Sequence, residues 1–147
     1  ATTCWERWDS LGAADGPADP AMNSFNHAAL GSVGQWLFED VAGIRGDTPG
    51  WGAITIRPNL DARLGWCEAS QRTACGLVRV RWEYSGHRVN IACSIPTGAT
   101  AQLYLPAEPA SIAGDSVMAL RPKMRMSGRE TVVSLGSGSY ALDIPAS

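Results

Sequence analysis

The stretch that decides the fold is residues 76–95, GLVRVRWEYSGHRVNIACSI. In its first half Val78, Val80 and Trp82 alternate with charged residues, which is the pattern of a half-buried β-strand. Apolar and polar side chains alternate in the same way over residues 88–95, and Ser85-Gly86-His87 supplies a turn between the two halves. The stretch therefore predicts a β-hairpin with one buried face.

Other strand-like runs lie on both sides of this hairpin and are separated by short segments rich in Gly, Pro, Asn and Ser. They cover residues 53–58, 64–70, 100–106, 131–136 and 139–145. No helical pattern interrupts them, so the sequence predicts a mainly β fold, an antiparallel β-sandwich of about seven or eight strands. Residues 120–130, LRPKMRMSGRE, contain a proline and alternating basic residues. They are typical of a loop or of a sheet edge that is protected from pairing with another strand.

Upstream of the strands the periodicity is helical. In residues 24–43, SFNHAALGSVGQWLFEDVAG, apolar side chains recur at spacings of three and four, and this stripe is expected to be buried. Asn23 or Ser24 could cap the start of the helix, and Gly43 could end it. The stripe consists of Phe25, Ala29, Val33, Trp36, Leu37 and Val41. The change of period predicts a helical segment over residues 1–46 and a β-sandwich domain over residues 47–147.

A single amphipathic helix cannot by itself bury this stripe and the tryptophan-rich start of the chain. Each large apolar side chain left in water forfeits ~1.5–3 kcal/mol of burial free energy. A sandwich can cover only one side of such a segment. Residues 1–46 are therefore expected to be the end of a helical domain whose remainder lies upstream of Ala1.

Composition excludes several classes of protein. The chain has 147 residues, 45% of them hydrophobic, and a formal net charge of −2 with no basic block, which argues against disorder and against a nucleic-acid partner. It contains no apolar run of the roughly 20 residues that span a bilayer, and its start does not resemble a signal peptide. The sequence predicts a soluble chain without membrane contact, and leaves a cytoplasmic or a secreted parent equally open.

The four cysteines do not have the spacing of a metal site. No CxxC pair occurs, and both histidines lie far from the cysteines in sequence, so neither a metal nor another cofactor is expected. Four cysteines allow three disulfide connectivities, and Cys67 could face Cys75 across a tight hairpin, but free thiols are favoured.

Three motifs occur in order along the first 60 residues. They are TTCWERWDS at residues 2–10, SFNHAALGSVGQWLFEDVAGI at residues 24–44 and PGWGAITIRPNL at residues 49–60. Together they resemble the carboxy-terminal part of the bacterial and fungal inverting α-L-rhamnosidases. The resemblance is strong over residues 2–60. Beyond residue 60 it is limited to the general pattern of strands and turns. It implies the last segment of an (α/α)6 catalytic barrel followed by a β-sandwich, which would explain the single helix.

The resemblance also assigns roles to particular residues. Glu6, the glutamate of a T-T-x-W-E motif, would be the general base that activates water, and His27, in an N-H-x-x-x-G-S motif, would lie in the rhamnose pocket. Trp5 and Trp8 would form walls around the base, and Asn26 could bind a sugar hydroxyl or hold the start of the helix. Cys4 stands where the motif more usually has an apolar residue. The substrate would be a glycoside that contains L-rhamnose.

The general acid of the family lies upstream, in the barrel, so an isolated chain of 147 residues is expected to be inactive. Two alternatives to the catalytic interpretation remain for the sandwich. One is a stand-alone carbohydrate-binding module, which would need an exposed aromatic platform; the other is a structural module that braces a catalytic domain. Trp36, Trp66 and Trp82 all lie in apolar patterns, so packing is expected for each, and the bracing role is favoured.

Overall fold

The computed structural model describes residues 3–11 and 21–146. By its contacts the chain divides into two compact units, Ala1–Leu37 and Phe38–Ser147. In the first, a 3₁₀ turn over Ala28–Gly31 leads into helix α1, Ser32–Trp36. A π-helical turn, Leu37–Val41, continues the helix.

The second unit is built mainly of strands, nine of them in the described part of the chain. A short helix, α2 (Val117–Leu120), and three 3₁₀ turns (Pro49–Trp51, Pro109–Ser111 and Arg121–Lys123) connect them. The strands are β1 (Ile44–Gly46), β2 (Ala53–Ile56), β3 (Trp66–Thr73), β4 (Gly76–Ser85), β5 (Arg88–Ile95), β6 (Thr100–Leu105), β7 (Met124–Ser127), β8 (Glu130–Leu135) and β9 (Gly138–Pro145).

The strands form two sheets, a five-stranded one in the order β1-β2-β6-β8-β7 and a four-stranded one in the order β3-β4-β5-β9. The hairpin predicted from residues 76–95 is confirmed, with Trp82 opposite Ile91. All pairings are antiparallel except β2 with β6, which run parallel with Ala53 opposite Thr100. The mainly β, antiparallel fold class is thus confirmed, with one parallel pairing that the sequence did not indicate.

Side chains of both sheets meet in one hydrophobic core. Trp82 of β4, Ile56 of β2 and Leu103 of β6 are each 0% exposed, and Ile91 and Ile144 pack into the same cluster. The inward positions are those that the period-two alternation selects. Core burial of this kind is the main source of stability for the sandwich.

Two strands lie outside the predicted runs. β1 is only three residues long and follows the helical segment directly, so no alternation announces it. β7 lies within residues 120–130, for which a sheet edge or a loop was expected, and it forms an edge of the five-stranded sheet. β1, which pairs with β2, belongs to the second of the two compact units.

Most of the helical stripe is exposed. Val41 is buried, but Val33, Trp36 and Leu37 are 56%, 52% and 48% exposed, and Phe25 is exposed as well. This chain therefore does not bury the stripe, which agrees with the expectation that a single helix cannot, and Trp36 does not lie in the core position expected for it. Neither Asn23 nor Ser24 caps a helix, because the first helical turn starts only at Ala28.

The tryptophans of the sandwich differ from one another. Trp82 is in the core as predicted, whereas Trp66 is 57% exposed, so packing was the wrong expectation for Trp66. Trp66 occupies an outward position of β3, and the Arg81 guanidinium lies 5.4 Å from the centre of its ring. A cation over an aromatic face is a favourable contact that leaves much of the ring in solvent.

The cysteines are all free. Cys67 lies opposite Trp82 and Cys75 lies in the turn after β3, so the two do not face each other across the hairpin. Cys93 is buried on the inner side of β5, and burial raises the pKa of its thiol to about 12. Cys93 is therefore protonated and unreactive in the folded sandwich.

Gly43 marks the passage from the helical turn to β1. Its φ is +74°, and a Cβ added there would lie 2.2 Å from the carbonyl carbon of Arg57. The Arg57 amide donates to the Gly43 carbonyl oxygen at 2.8 Å, which holds the two backbones together. Only glycine satisfies both the conformation and the close approach.

Among the described residues, no helix is long and apolar enough to cross a bilayer. The same residues contain no group of three or more His, Cys, Asp or Glu side chains placed to hold a metal ion.

Candidate functional site

Two extended segments of the first unit, around residues 4–6 and 24–27, are joined by backbone hydrogen bonds. The Glu6 amide donates to the Ser24 carbonyl at 2.9 Å, and the His27 amide donates to the Cys4 carbonyl at 2.8 Å. The pairing brings together the first two motifs of the sequence. Glu6 and His27 consequently lie close to each other although they are distant along the chain.

The Glu6 carboxylate is held by the backbone. Its Oε2 atom accepts a hydrogen bond from the Ser24 amide at 2.9 Å, and the side chain is 23% exposed. Among the described residues, Oε1 accepts no hydrogen bond. One oxygen of Glu6 is thus fixed while the other is free to bind a further donor, such as a water molecule.

His27 lies beside this carboxylate. Its Nδ1 atom is 3.9 Å from Glu6 Oε2, beyond hydrogen-bond range but close enough for a bridging water, and its side chain is 33% exposed. His27 precedes the first helical turn, in extended conformation. Asn26 is exposed, and its amide donates to the Ser24 hydroxyl oxygen at 3.3 Å. The structure therefore brings His27 to Glu6 and leaves the Asn26 side chain at the surface.

The two tryptophans beside Glu6 are placed differently. The Trp5 ring packs edge-on against Phe25, with centroids 5.2 Å apart and planes at 88°, a favourable aromatic geometry. Trp8 is fully exposed, so within this chain it does not wall off the carboxylate. Trp5 fastens the two paired segments together.

The Arg7 guanidinium donates to both carboxylate oxygens of Asp9, at 3.0 and 2.9 Å. This hydrogen bonding lowers the pKa of Asp9. Asp9 is the other carboxylic acid among the described residues of the first unit. Because it stays ionised near neutral pH, it is unsuited to donate a proton.

A concavity of about 630 Å³ in the second unit is lined by none of the predicted site residues. Within it Arg57 donates to both carboxylate oxygens of Glu130 and lies over the Tyr104 ring. The candidate catalytic residues are confined to the first unit.

Two contributors to the site were not predicted. Ser24 was expected to cap a helix, yet its amide holds the Glu6 carboxylate, and Phe25 was assigned to a buried stripe, yet it supports Trp5. A backbone donor leaves no trace in residue type, so no sequence signal could have identified Ser24.

Family models match almost the whole of residues 1–118. The bacterial α-L-rhamnosidase six-hairpin glycosidase domain matches residues 1–41, and the bacterial α-L-rhamnosidase C-terminal domain matches residues 43–118. The chain belongs to the bacterial α-L-rhamnosidase family. The resemblance inferred from the three motifs is thereby confirmed.

Individual α-L-rhamnosidases agree with this assignment. One from Streptomyces avermitilis is 38% identical over 107 residues, which cover 73% of this chain and 10% of that protein. One from Alteromonas is 34% identical and is covered to 12% of its length. The crystal structure of the Streptomyces avermitilis α-L-rhamnosidase complexed with L-rhamnose matches 97% of this chain and 14% of its own, with a TM-score of 0.74 and 33% identity. The chain spans about a tenth of the length of these curated relatives.

Proposed function

We propose that residues 1–147 act as the carboxy-terminal part of a glycoside hydrolase that removes terminal α-L-rhamnose with inversion. Glu6 supplies the general base, and His27 forms part of the rhamnose pocket. The observation that carries the proposal is the convergence of the two motif residues, with Glu6 Oε2 held by the Ser24 amide and His27 Nδ1 3.9 Å away.

The proposed chemistry follows from the state of the carboxylate. In inverting hydrolysis a carboxylate deprotonates water on one face of the sugar while a carboxylic acid roughly 6.5–9.5 Å away protonates the leaving oxygen. The Ser24 amide fixes the orientation of Glu6, so Oε1 can accept a proton from the attacking water. His27 can bind a sugar hydroxyl through its Nε2 atom.

The general acid is proposed to come from a preceding (α/α)6 catalytic domain. Asp9 is held ionised by Arg7 and cannot serve. The same preceding domain would cover the exposed side chains of Val33, Trp36 and Leu37, whose exposure in this chain is costly. The rhamnose-containing glycoside would bind between groups from that domain and the Glu6–His27 pair.

For the sandwich itself we propose a bracing role. Its hydrophobic core is closed, and in its concavity of about 630 Å³ Arg57 is paired with Glu130. A rigid support of this kind would hold the preceding segment in register with the rest of the catalytic domain.

The test is a chimaera in which residues 1–147 replace the matching segment of the Streptomyces avermitilis α-L-rhamnosidase. We expect the chimaera to cleave an aryl α-L-rhamnoside and to release β-L-rhamnose first, as ¹H NMR of the anomeric proton would show. Release of α-L-rhamnose first would contradict inversion. The 147-residue chain alone is expected to hydrolyse no more than its Glu6→Gln variant, and hydrolysis above that control would contradict the need for a separate acid.

A further inference from the structure

The outer face of the four-stranded sheet carries a groove. Its lining includes Glu68, Arg79, Arg81, Ala92, Ser94 and Ala141, and its volume is about 510 Å³. A neighbouring concavity of about 240 Å³ shares Arg81, Ala92 and Ala141 with it, so the two are parts of one feature, here named the outer groove. Its size is within the roughly 300–1,000 Å³ of small-ligand sites.

The shape of the outer groove follows from strand register. Ala92 of β5 lies opposite Ala141 of β9, and Ser94 lies opposite Ser139, so the middle of this face carries only small side chains. On the next strand, Arg79 lies opposite Ser94 and Arg81 opposite Ala92. A row of long side chains therefore stands beside a floor of short ones, which produces the depression.

Trp66 does not itself line the outer groove, but its ring contacts Arg81, which does. It is 57% exposed at an outward position of β3, with the Arg81 guanidinium 5.4 Å from its ring centre. An exposed indole suits a ligand that has both an apolar face and polar edges. A pyranose ring is such a ligand, because its C–H face can stack on indole while its hydroxyls point outward.

The charges of the outer groove favour a neutral ligand. Arg81 donates to Glu68 at 3.1 Å and to Glu83 at 2.7 Å, so its charge is balanced locally. Acidic and basic groups alternate without the single sign that attracts phosphate polymers. The side chains of Arg79 and Asn90 are exposed and make no hydrogen bond to any other side chain or backbone group that the structure describes. They offer donors, and in Asn90 an acceptor too, to hydroxyl groups.

From these features we infer that the outer groove binds a neutral oligosaccharide, with one pyranose ring stacked on Trp66 and hydroxyl groups bonded to Arg79 and Asn90. This site is separate from the Glu6–His27 pair and needs no hydrolysis. It gives the sandwich a ligand in addition to its bracing role.

The test is a ¹H–¹⁵N NMR titration of the 147-residue chain with three neutral probes, maltohexaose, cellohexaose and xylohexaose, and with a heparin hexasaccharide as anionic control. We expect at least one neutral probe to shift the Trp66 indole resonance and the amides of β4 and β5 saturably. Trp66→Ala should weaken that binding by about tenfold or more, the scale of losing an aromatic anchor. Trp66→Phe should retain most of the affinity.

Trp36→Ala is the matched control, since Trp36 is 52% exposed and lies in the first unit. It should leave the affinity unchanged, and thermal unfolding midpoints should show that all variants fold. Failure of every neutral probe to bind saturably, binding by the heparin fragment alone, or equal affinity in Trp66→Ala would each overturn the proposal. None of these outcomes bears on the hydrolysis measured with the chimaera.

Discussion

The two units of the chain differ in how completely they bury their apolar side chains. In the second unit Ile56, Trp82 and Leu103 are wholly removed from solvent, whereas in the first Val33 and Trp36 are more than half exposed. Yet the candidate catalytic residues lie in the first unit, where Glu6 is held by a backbone amide. The unit that buries its own core carries no candidate catalytic group, and the unit that carries the candidate catalytic residues leaves large apolar side chains exposed.

The contrast shows that a segment can have a defined local geometry without burying its apolar side chains. Hydrogen bonds between residues 4–6 and 24–27 define the geometry around Glu6 without burying the helix stripe that follows. Such a segment has a formed site but an incomplete core, as expected for part of a larger domain. The sandwich, by contrast, has the burial of an independently stable unit.

The first prediction tests this contrast with two tryptophans. Trp82→Ala should lower the free energy of unfolding by ~3–5 kcal/mol, because it removes a fully buried ring from the core. Trp36→Ala, at an exposed position, should change it by less than about 1 kcal/mol. Urea unfolding followed by circular dichroism measures both. Equal effects of the two substitutions would abolish the distinction between the units.

The second prediction concerns Gly43, which directly precedes β1 in the second unit. Gly43→Ala should cost more than about 2 kcal/mol, because the added Cβ meets the Arg57 backbone and φ is positive. Gly50 has nearly the same φ, +78°, but open space around it, so Gly50→Ala isolates the conformational cost at about 1–2 kcal/mol. A Gly43→Ala protein as stable as Gly50→Ala would mean that the close approach to Arg57 is unimportant.

Sequence reasoning succeeded where the determining pattern is local. Alternation over residues 76–95 gave the hairpin and the burial of Trp82, because each residue's face follows from its neighbours. It failed for β1, which is too short to alternate, and for the parallel pairing of β2 with β6, which depends on distant parts of the chain. Trp66 was misjudged because β3 is an edge strand with apolar residues on both faces.

The candidate site shows the same limit. Glu6 and His27 were chosen through motif resemblance, and neither spacing nor periodicity would have paired them. The structure adds the Ser24 amide as the group that orients Glu6, and it removes Trp8 from the immediate surroundings of the carboxylate. Orientation of side chains across two paired segments is a tertiary property that residue types do not encode individually.

The third and smallest prediction compares one ion pair in each unit. Arg63 lowers the pKa of Asp61 to about 2 through side-chain hydrogen bonds, and Arg7 lowers the pKa of Asp9 in the same way. Because each folded-state pKa is depressed, each pair stabilises the fold above the ordinary carboxyl pKa of 3.8. That contribution is lost as the pH falls, for Asp61 toward 2.

An NMR titration of side-chain carboxyl carbons from about pH 1 to 6 measures both pKa values. Arg63→Ala should raise the pKa of Asp61 toward 3.8 without fully restoring it, because the backbone amide of residue 63 still donates to Asp61 Oδ1, and it should leave Asp9 unchanged. Arg7→Ala should raise the pKa of Asp9 and leave Asp61 unchanged. An Asp9 that titrates normally in the wild-type chain would indicate that the Arg7–Asp9 pair does not form, and that the first unit is less ordered than described.

The measurement that tests the central claim most directly is kcat for an aryl α-L-rhamnoside in the chimaera with and without Glu6→Gln. We predict a fall of about 10²–10⁴-fold, the usual contribution of a general base, with an unchanged thermal midpoint. Glu108→Gln, an exposed glutamate of the sandwich, is the matched control and should retain full activity. If Glu6→Gln keeps the activity of the unsubstituted chimaera, Glu6 is not the base and the assignment of chemistry to the first unit is wrong.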